Sequence, residues 1–307
     1  MLTEDSTSGD SRPALELLNA EKRYGKLEAL RGLDMHVGEG DIYGFLGRNG
    51  AGKSTALRII MGVTHADRGE LRLFGQPVGR NDPVPRRQIG YVAQEQNFYG
   101  WMTAPGIGRF VAGFYPGWDD AEYRRLLDAL EVPLDRKIHG FSGGMHAKLA
   151  LALALASNPR LLLLDEPTAG MDAVARREFL DIVRDASRRS HRTTLFSSHL
   201  IDEVEMAADK VGILDQGVMR FEGSLATLKQ SVRRYAARLS GDAAPPPDFD
   251  GADVLRDDVR DGQREIYVHS SNPAALPREA SLPPGWQMEQ PSLESVFVAM
   301  VGKSIRL

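Results

Sequence analysis

The residues with the clearest chemical meaning are Gly47–Ser54, which read G-R-N-G-A-G-K-S. This is the G-x-x-x-x-G-K-S/T spacing of a phosphate-binding loop, in which glycines let backbone N–H groups turn toward phosphate oxygens. In such a loop Lys53 reaches the β- and γ-phosphates, and the Ser54 hydroxyl holds Mg²⁺. An apolar strand over 41–46 precedes the loop, and a helix over 55–60 follows it and adds its dipole to the anion site. The sequence therefore predicts a nucleotide site whose binding residues are Gly47, Arg48, Asn49, Gly50, Ala51, Gly52, Lys53, Ser54 and Thr55.

A second chemical feature is the acidic pair Asp165-Glu166, which follows the apolar run Leu161–Leu164. A buried parallel strand that ends in carboxylates places them at the carboxyl edge of the sheet, where ligands bind. Asp165 is then expected to hold Mg²⁺ through water, and Glu166 to polarise the water that attacks the γ-phosphate. Alone, the pattern also fits a strand followed by a polar turn. A phosphate loop in the same chain favours the functional interpretation.

Composition limits the classes of function. The chain has 307 residues, no cysteine and a formal net charge of -4. An acidic balance argues against nucleic acid as the main partner, because the phosphate backbone requires a basic surface. The lack of cysteine excludes disulfides, thiolate catalysis and Cys-ligated metals, and it fits a reducing compartment such as the cytoplasm.

Neither the N-terminus nor the most apolar segment predicts membrane insertion. The first residues are polar and acidic, without the apolar core of a secretory signal. The apolar stretch Leu149–Leu164 is interrupted at 157–160 and falls short of the roughly 20 residues that a membrane helix needs. We expect no membrane span within this chain.

Patterning along the chain predicts an α/β protein. Helical spacing is clearest over 120–130, where Tyr123, Leu126 and Leu127 share one face, and a further helix is expected over 148–156. Short apolar or β-branched runs predict buried strands at 34–37, 42–46, 161–164, 193–196 and 211–214. Strands that alternate with helices indicate a mostly parallel sheet.

The composition changes after about residue 229, which predicts a domain boundary. We interpret residues 1–13 as a disordered leader, 14–229 as the nucleotide-binding domain and 230–307 as a small accessory α+β domain. In the last segment, 243–247 is loop-like, strands are expected at 253–256 and 265–268, and a helix begins after Ser292.

The segment Ser142-Gly143-Gly144 lies between the two nucleotide motifs. Alone it indicates only a cap before a helix that starts near His146. In order with Gly47–Ser54 and Asp165-Glu166, it makes the chain resemble the nucleotide-binding subunit of an ATP-binding-cassette (ABC) transporter. The resemblance covers about residues 15–230. It implies a P-loop ATPase sheet with an antiparallel β subdomain and a helical subdomain at about 95–145. It also implies that Ser142, Gly143 and Gly144 bind the γ-phosphate of ATP held by the opposite subunit.

The same resemblance assigns four further residues. Tyr24 matches the aromatic residue that stacks on adenine, although alone it reads as a surface tyrosine. Gln94 resembles the glutamine that contacts Mg²⁺ and the attacking water. Asp172 resembles the aspartate of a loop that crosses the dimer. His199 matches the histidine that contacts the γ-phosphate and aligns Glu166, although a lone histidine after a strand is more often structural.

Two positions depart from the common signature. The family pattern usually ends in Gln where this chain has Met145, and usually begins with Leu where it has Phe141. The binding groups of Ser142 and Gly144 are kept. Over 141–172 the chain is similar to single-domain ATPases of bacterial exporters in the antibiotic-resistance group, which often have Met at this position. The segment 291–297 also resembles the tail of these ATPases, and a helix that covers its own core explains it equally well.

The resemblance implies an ATPase that powers a separate membrane subunit of an exporter, with ATP and Mg²⁺ as cofactors. The implied partners are a second ATPase subunit, as a homodimer, and a polytopic membrane protein, which places the chain on the cytoplasmic face of the plasma membrane. A short insert between the nucleotide motifs excludes the coiled-coil ATPases of DNA repair, and a single cassette excludes the translation-type factors. A regulatory ABC ATPase not coupled to transport stays open. The expected docking surface contains Tyr99, Trp101, Met102, Phe114, Tyr115 and Trp118. Packing of half of these residues within the helical subdomain is an equal alternative.

Overall fold

The computed structural model describes residues 2–3, 13–80, 82–239, 245–249 and 251–302. The chain divides into two compact units between Met219 and Arg220, before the sequence-based boundary at 229/230. Of the expected leader, Leu2–Thr3 is a short strand and Pro13 begins another, and the remainder lies outside the described residues. Part of the loop-like segment 243–247 also lies outside them.

The secondary structure elements are numbered along the chain. The strands are β1 Leu2–Thr3, β2 Pro13–Tyr24, β3 Leu27–Gly38, β4 Ile42–Gly47, β5 Arg68–Leu73, β6 Gln76–Pro77, β7 Ile89–Val92, β8 Leu161–Asp165, β9 Thr193–Ser198, β10 Lys210–Asp215, β11 Val218–Ser224, β12 Val232–Arg238, β13 Asp253–Arg260, β14 Gln263–His269 and β15 Trp286–Glu289. The helices are α1 Lys53–Met61, α2 Ala104–Ala112, α3 Asp120–Ala129, α4 Gly143–Ala156, α5 Ala173–Arg189, α6 Ile201–Ala207, α7 Leu225–Ser231 and α8 Leu293–Val301.

The first unit contains a parallel sheet with the strand order β10-β4-β9-β8-β7. Every residue of β4, β8 and β9 is buried, which agrees with continuous apolar runs rather than alternating ones. The register pairs Asp165 with Ser197 and Leu46 with Ser198. The carboxyl ends of β4, β9 and β8 therefore meet at one edge of the sheet, and the predicted parallel α/β fold is confirmed.

A second sheet in this unit is antiparallel, with the order β3-β2-β5-β6. Its buried face includes Leu15, Leu17, Leu33 and Met35, which share one hydrophobic core with Phe45 of the parallel sheet. This sheet is the antiparallel β subdomain expected from the fold class.

The helices predicted over 55–60, 120–130 and 148–156 are present, and all but one start close to the predicted residue. In α3 the predicted face is confirmed: Tyr123, Leu126 and Leu127 are buried, and the Asp119 side chain accepts the N–H of Glu122 as an N-cap. The exception is α4, which begins at Gly143 rather than near His146, because Ser142 caps it. From Ala147 onward α4 is buried on all sides apart from Lys148, as expected for a helix that is apolar all round.

The second unit has its own antiparallel sheet, ordered β13-β14-β12-β15, and it also contains β1, which pairs with β11 in parallel. Its core contains Tyr235, Ile266, Val268 and Trp286. The helix expected after Ser292 is present as α8, with Ser292 as its N-cap. Within the described parts of both units, we find no helix long and apolar enough to cross a bilayer.

The Tyr43 side chain of β4 packs directly against Gly212 of β10, which predicts how a larger residue at 212 changes the stability of the protein. A Cβ atom added to Gly212 would lie 2.1 Å from the hydroxyl oxygen of Tyr43, which is fully buried. We expect Gly212→Ala to destabilise the protein by about 1–3 kcal/mol, because the sheet must shift to admit the methyl group. The thermal midpoint measures this. The control is Gly113→Ala, whose Cβ would lie 3.5 Å from its nearest neighbour. Equal midpoints for the two variants would contradict the packing described here.

Candidate functional site

The phosphate loop runs from the end of β4 to the start of α1 and depends on a glycine at 52. Gly52 has a φ of 114° and is the N-cap of α1. A Cβ at this position would lie 2.5 Å from the Ala29 carbonyl oxygen, so only glycine fits. Gly50 also has a positive φ, of 80°. The loop therefore has the tight backbone that a phosphate cradle requires.

Lys53 is the first residue of α1, and its side chain is only 4% exposed. Its ammonium nitrogen donates to the carbonyl oxygens of Gly47 at 2.7 Å and Arg48 at 3.3 Å. The same nitrogen lies 3.2 Å from Oε1 of Glu166. A buried cation needs such partners, since an unpaired charge away from water is strongly unfavourable. The ammonium group thus lies between the phosphate loop and the predicted water-activating carboxylate.

Glu166 brings together three of the predicted catalytic residues. Besides Lys53, its carboxylate lies 3.2 Å from Nδ1 of His199 and accepts a long hydrogen bond of 3.5 Å from the Gln94 amide, both at Oε2. The backbone of Glu166 has a φ of 45°, which is uncommon for a residue with a side chain. Its N–H donates to Ser197 Oγ at 3.0 Å. Strained backbone of this kind concentrates at functional sites.

Asp165 lies at the last position of β8 and is bound by two hydroxyl groups. Ser54 Oγ donates to its Oδ1 at 3.0 Å, and Ser197 Oγ donates to the same oxygen at 2.8 Å. Burial raises the pKa of Asp165, which the two hydroxyl groups partly oppose. Ser54 and Asp165, both predicted to hold Mg²⁺, are therefore in direct contact. The third predicted ligand, Gln94, instead contacts Glu166.

The segment 142–145 forms the N-terminal cap of α4, and Met145 takes part in this cap. The Met145 N–H donates to Ser142 Oγ at 3.3 Å, while the Ser142 N–H donates to the Met145 thioether sulfur at 3.5 Å. In a capping box this second role usually belongs to Glu or Gln. Met145 therefore fills the place of the usual glutamine with a weaker acceptor. Gly143 has open space where a Cβ would be, and a Cβ on Gly144 would lie 3.6 Å from Met171.

Asp172 is the N-cap of α5. Its Oδ1 accepts the N–H groups of Val174 and Ala175, both at 2.9 Å. These hydrogen bonds, first of all that of Ala175, lower the pKa of the Asp172 carboxyl. In the isolated chain the carboxylate thus has a local structural role, which accounts for its fixed position at the end of the 169–172 loop.

Tyr24 lies at the end of β2, in the antiparallel sheet, and its side chain is 45% exposed. The Lys22 ammonium lies 5.4 Å from the ring centroid. None of its described contacts joins it to the phosphate loop. Its ring is therefore available to stack on a flat ligand.

The expected docking surface is only partly exposed. Tyr99, Trp101 and Phe114 are exposed, whereas Met102, Tyr115 and Trp118 are half-buried, and Trp118 packs on Tyr123. Phe110, which sequence reasoning missed, joins the exposed set. Ring centroids are 6.2 Å apart for Tyr99–Trp101, 5.8 Å for Tyr99–Phe110 and 5.3 Å for Phe110–Phe114. The aromatic patch is defined by these residues, Tyr99, Trp101, Phe110 and Phe114.

Sequence reasoning also missed Ser197. Its hydroxyl contacts both members of the acidic pair, since it donates to Asp165 and accepts the N–H of Glu166. The signal was available: Ser197 lies two residues before His199 at the end of a predicted buried strand. A polar residue at that edge of a parallel sheet is expected to face the ligand.

Comparisons with known proteins agree with this arrangement. A sequence model of the ABC transporter family matches residues 30–169. The linearmycin resistance ATP-binding protein LnrL of Bacillus subtilis is 30% identical over 95% of this chain and 99% of its own length. The Nod factor export ATP-binding protein I of Burkholderia thailandensis is 36% identical over 71% of this chain and 73% of its own.

Among solved structures, a dimeric ATP-binding cassette in a post-hydrolysis state, bound to ADP and phosphate, matches with a TM-score of 0.61 and 26% identity. The match covers 69% of this chain and 98% of that one. The extent of the match to LnrL, together with the family model and the shared fold, shows that this chain belongs to the ABC transporter family and carries its ATP-binding, ATP-hydrolysing domain.

Proposed function

We propose that this chain powers a separate membrane subunit of an ABC exporter, and that ATP drives it to dimerise. The observation that supports this most is the convergence of Lys53, Gln94 and His199 on the Glu166 carboxylate, beside the phosphate loop. Relatives named for linearmycin resistance and for Nod factor export support the direction of transport.

In the proposed site, the loop from Gly47 to Thr55 holds the phosphates and Lys53 neutralises the γ-phosphate. Tyr24 stacks on the adenine with its exposed ring. Because Lys53 contacts Glu166 in the structure, a bound γ-phosphate would compete with Glu166 for the ammonium group. Its arrival would leave the Glu166 carboxylate available to orient water, with His199 Nδ1 at Oε2 keeping the carboxylate in place.

The donor set around Asp165 fits Mg²⁺. The ion prefers hard oxygen ligands and is usually held by one or two carboxylates together with substrate phosphates. The Ser54 hydroxyl and the Asp165 carboxylate supply such oxygens. Gln94, whose NH₂ group contacts Glu166 in the structure, would supply another through its amide oxygen. A cation here would favour the charged form of Asp165, which burial disfavours. When bound, Mg²⁺ supplies charge neutralisation for the phosphates.

The partner in the proposed dimer is a second copy of this chain. Ser142, Gly143 and Gly144 at the N-terminus of α4 would bind the γ-phosphate on the opposite subunit, with backbone N–H groups and the helix dipole. The exposed position of Asp172, at the end of the 169–172 loop, suits a contact across the same interface. A monomer would then hydrolyse ATP slowly.

The membrane subunit is expected to dock on the aromatic patch. Aromatic residues are enriched in protein interfaces, and these four rings contact one another while staying exposed. Such docking would hold the chain at the cytoplasmic face of the plasma membrane as a peripheral subunit. The acidic net charge of -4 gives no support to a nucleic-acid partner.

The first test is to tag the Glu166→Gln chain, add Mg-ATP and identify what co-purifies from detergent-solubilised membranes. A stoichiometric polytopic protein would support the transporter subunit. A soluble ATP-bound dimer without a membrane partner would overturn it in favour of a regulatory ABC ATPase.

The role of Glu166 predicts the behaviour of Glu166→Gln. It should bind ATP normally and hydrolyse it at least about a hundredfold more slowly, because positioned general bases typically contribute 10²–10⁴ in rate. Phosphate release under saturating ATP measures this. The exposed Glu178→Gln on α5 is the matched control and should keep the normal rate. Near-normal hydrolysis by Glu166→Gln would remove Glu166 from the catalytic role.

The role of Lys53 predicts weaker nucleotide binding. Lys53→Ala removes a charge-assisted contact to the phosphates, and ATP affinity should fall at least about tenfold. Calorimetric titration of ATP gives the dissociation constant, with the exposed Lys137→Ala as the control. An unchanged affinity would contradict the assignment of the loop as the phosphate cradle.

The docking role of the patch predicts that Trp101→Ala in the Glu166→Gln background recovers less of the membrane subunit. The Trp101 side chain is 67% exposed and packs beside Tyr99, so its removal takes away a large part of the exposed aromatic surface. Densitometry of the co-purified subunit measures the loss. Leu134→Ala, at another exposed apolar residue, is the control. Full recovery with Trp101→Ala would remove this residue from the interface.

A further inference from the structure

A buried carboxylate outside the phosphate site joins several of its segments. Glu203 lies on α6 and is 1% exposed. Its Oε1 accepts the hydroxyl of Thr168, and its Oε2 accepts the hydroxyl of Ser198 at 2.5 Å. Nε of Arg176 lies 3.3 Å from Oε1, as a charge contact whose N–H is not aligned for a hydrogen bond. None of the described contacts of Glu203 reaches the phosphate loop or Glu166.

The partners of Glu203 lie next to the predicted catalytic groups. Thr168 follows Glu166 by two residues, on the turn after β8. Ser198 directly precedes His199, at the end of β9. One carboxylate thus binds the turn that carries Glu166 and the strand end that carries His199, whose side chains meet at 3.2 Å.

The third partner extends these contacts to the loop 169–172. Arg176 lies on the first turns of α5, and its guanidinium donates to the Met171 carbonyl oxygen at a long 3.5 Å. Met171 directly precedes Asp172 and is buried. Two separate chain segments, residues 166–172 after β8 and the end of β9, are therefore connected through Glu203 and Arg176.

Stability alone gives a weak reason for this arrangement. A buried ion pair often contributes little net stability, because the loss of hydration offsets the attraction between the charges. What such a group does supply is a fixed geometry, since every alternative position would leave a charge or hydroxyl without a partner. The contacts of Glu203 fix the positions of Thr168 and Ser198 relative to each other.

From these contacts we infer that Glu203 is a positioning residue for ATP hydrolysis: it holds the Glu166 turn and the His199 strand end in register and links them to the loop 169–172. This inference rests on the proposed roles of Glu166 and His199. Glu203 would act through these residues and would not touch the nucleotide. It should therefore affect turnover and leave ATP binding at the phosphate loop almost unchanged.

The positioning role of Glu203 is tested by comparing ATP hydrolysis by the variants Thr168→Val and Thr168→Ser. Valine keeps nearly the same shape but removes the hydroxyl that binds Glu203, whereas serine keeps it. We expect Thr168→Val to lower kcat about ten- to hundredfold, as small displacements of catalytic groups do, with KM for ATP within about twofold of normal. Thr168→Ser should keep near-normal kcat. Rates are expressed per ATP-binding site, so that loss of folded protein is not counted.

A second pair covers the case in which Thr168→Val does not fold. Glu203→Gln keeps an acceptor oxygen but removes the charge that faces Arg176, and Glu205→Gln makes the same change at an exposed position of the same helix. Only Glu203→Gln should lower kcat at unchanged KM. A parallel loss of kcat and ATP affinity, or normal kcat in both Thr168→Val and Glu203→Gln, would overturn the inference.

The reference in this series is Glu166→Gln. If it hydrolyses ATP slowly while the Thr168 and Glu203 variants behave normally, the positioning role fails and the proposed function stands. If Glu166→Gln itself hydrolyses ATP at a near-normal rate, both fail.

Discussion

A half-buried carboxylate and a buried ammonium group meet at the centre of the site, where Glu166 Oε1 lies 3.2 Å from Lys53 Nζ. The charge of Lys53 could not stay buried without such a partner. The two residues come from different parts of the chain: Lys53 begins α1 after β4, and Glu166 follows β8. Between these strands lies β9, which ends in Ser198 and is followed by His199. The contact therefore exists only if three parallel strands are in the correct order and register.

The residues of this contact and their neighbours have unusual backbone angles. Glu166 has a left-handed conformation that a residue with a side chain seldom adopts, and Gly52 has one that only glycine fits. Glu166 is one member of the ion pair, and Gly52 directly precedes the other member, Lys53. The strain at Glu166 is offset by the hydrogen bond from its N–H to Ser197 and by the three partners of its carboxylate. The rigidity of the sheet edge is what holds the turn in this conformation.

Much of this arrangement could be predicted from the sequence, because the signals are local. The continuous apolar run Leu161–Leu164 predicts a buried parallel strand, and the glycines of 47–52 predict a loop with unusual backbone angles. The roles assigned to individual site residues stay predictions. The predicted start of α4 was wrong by three residues. The helix begins directly after the Ser142 cap and includes Gly143 and Gly144, although glycine is a poor helix former.

Other features depend on contacts between distant segments. In the sequence Glu203 is one of three acidic residues in 202–205, and nothing local predicts that Thr168, Arg176 and Ser198 surround it. The exposure of Phe110 beside Tyr99 likewise follows from how the chain turns before α2. Such clusters need the tertiary fold, since helical or strand periodicity specifies only which face a residue occupies.

The single hydroxyl of Ser197 has a further consequence. Because it donates to the Asp165 carboxylate and accepts the backbone N–H of Glu166, the position of the Asp165 carboxylate relative to the Glu166 backbone is set by protein groups. Little reorganisation energy is then needed at the moment of reaction, which is the condition under which fixed dipoles are most effective. Any part of the site that adjusts during turnover must accordingly lie elsewhere than in the spacing of these two residues.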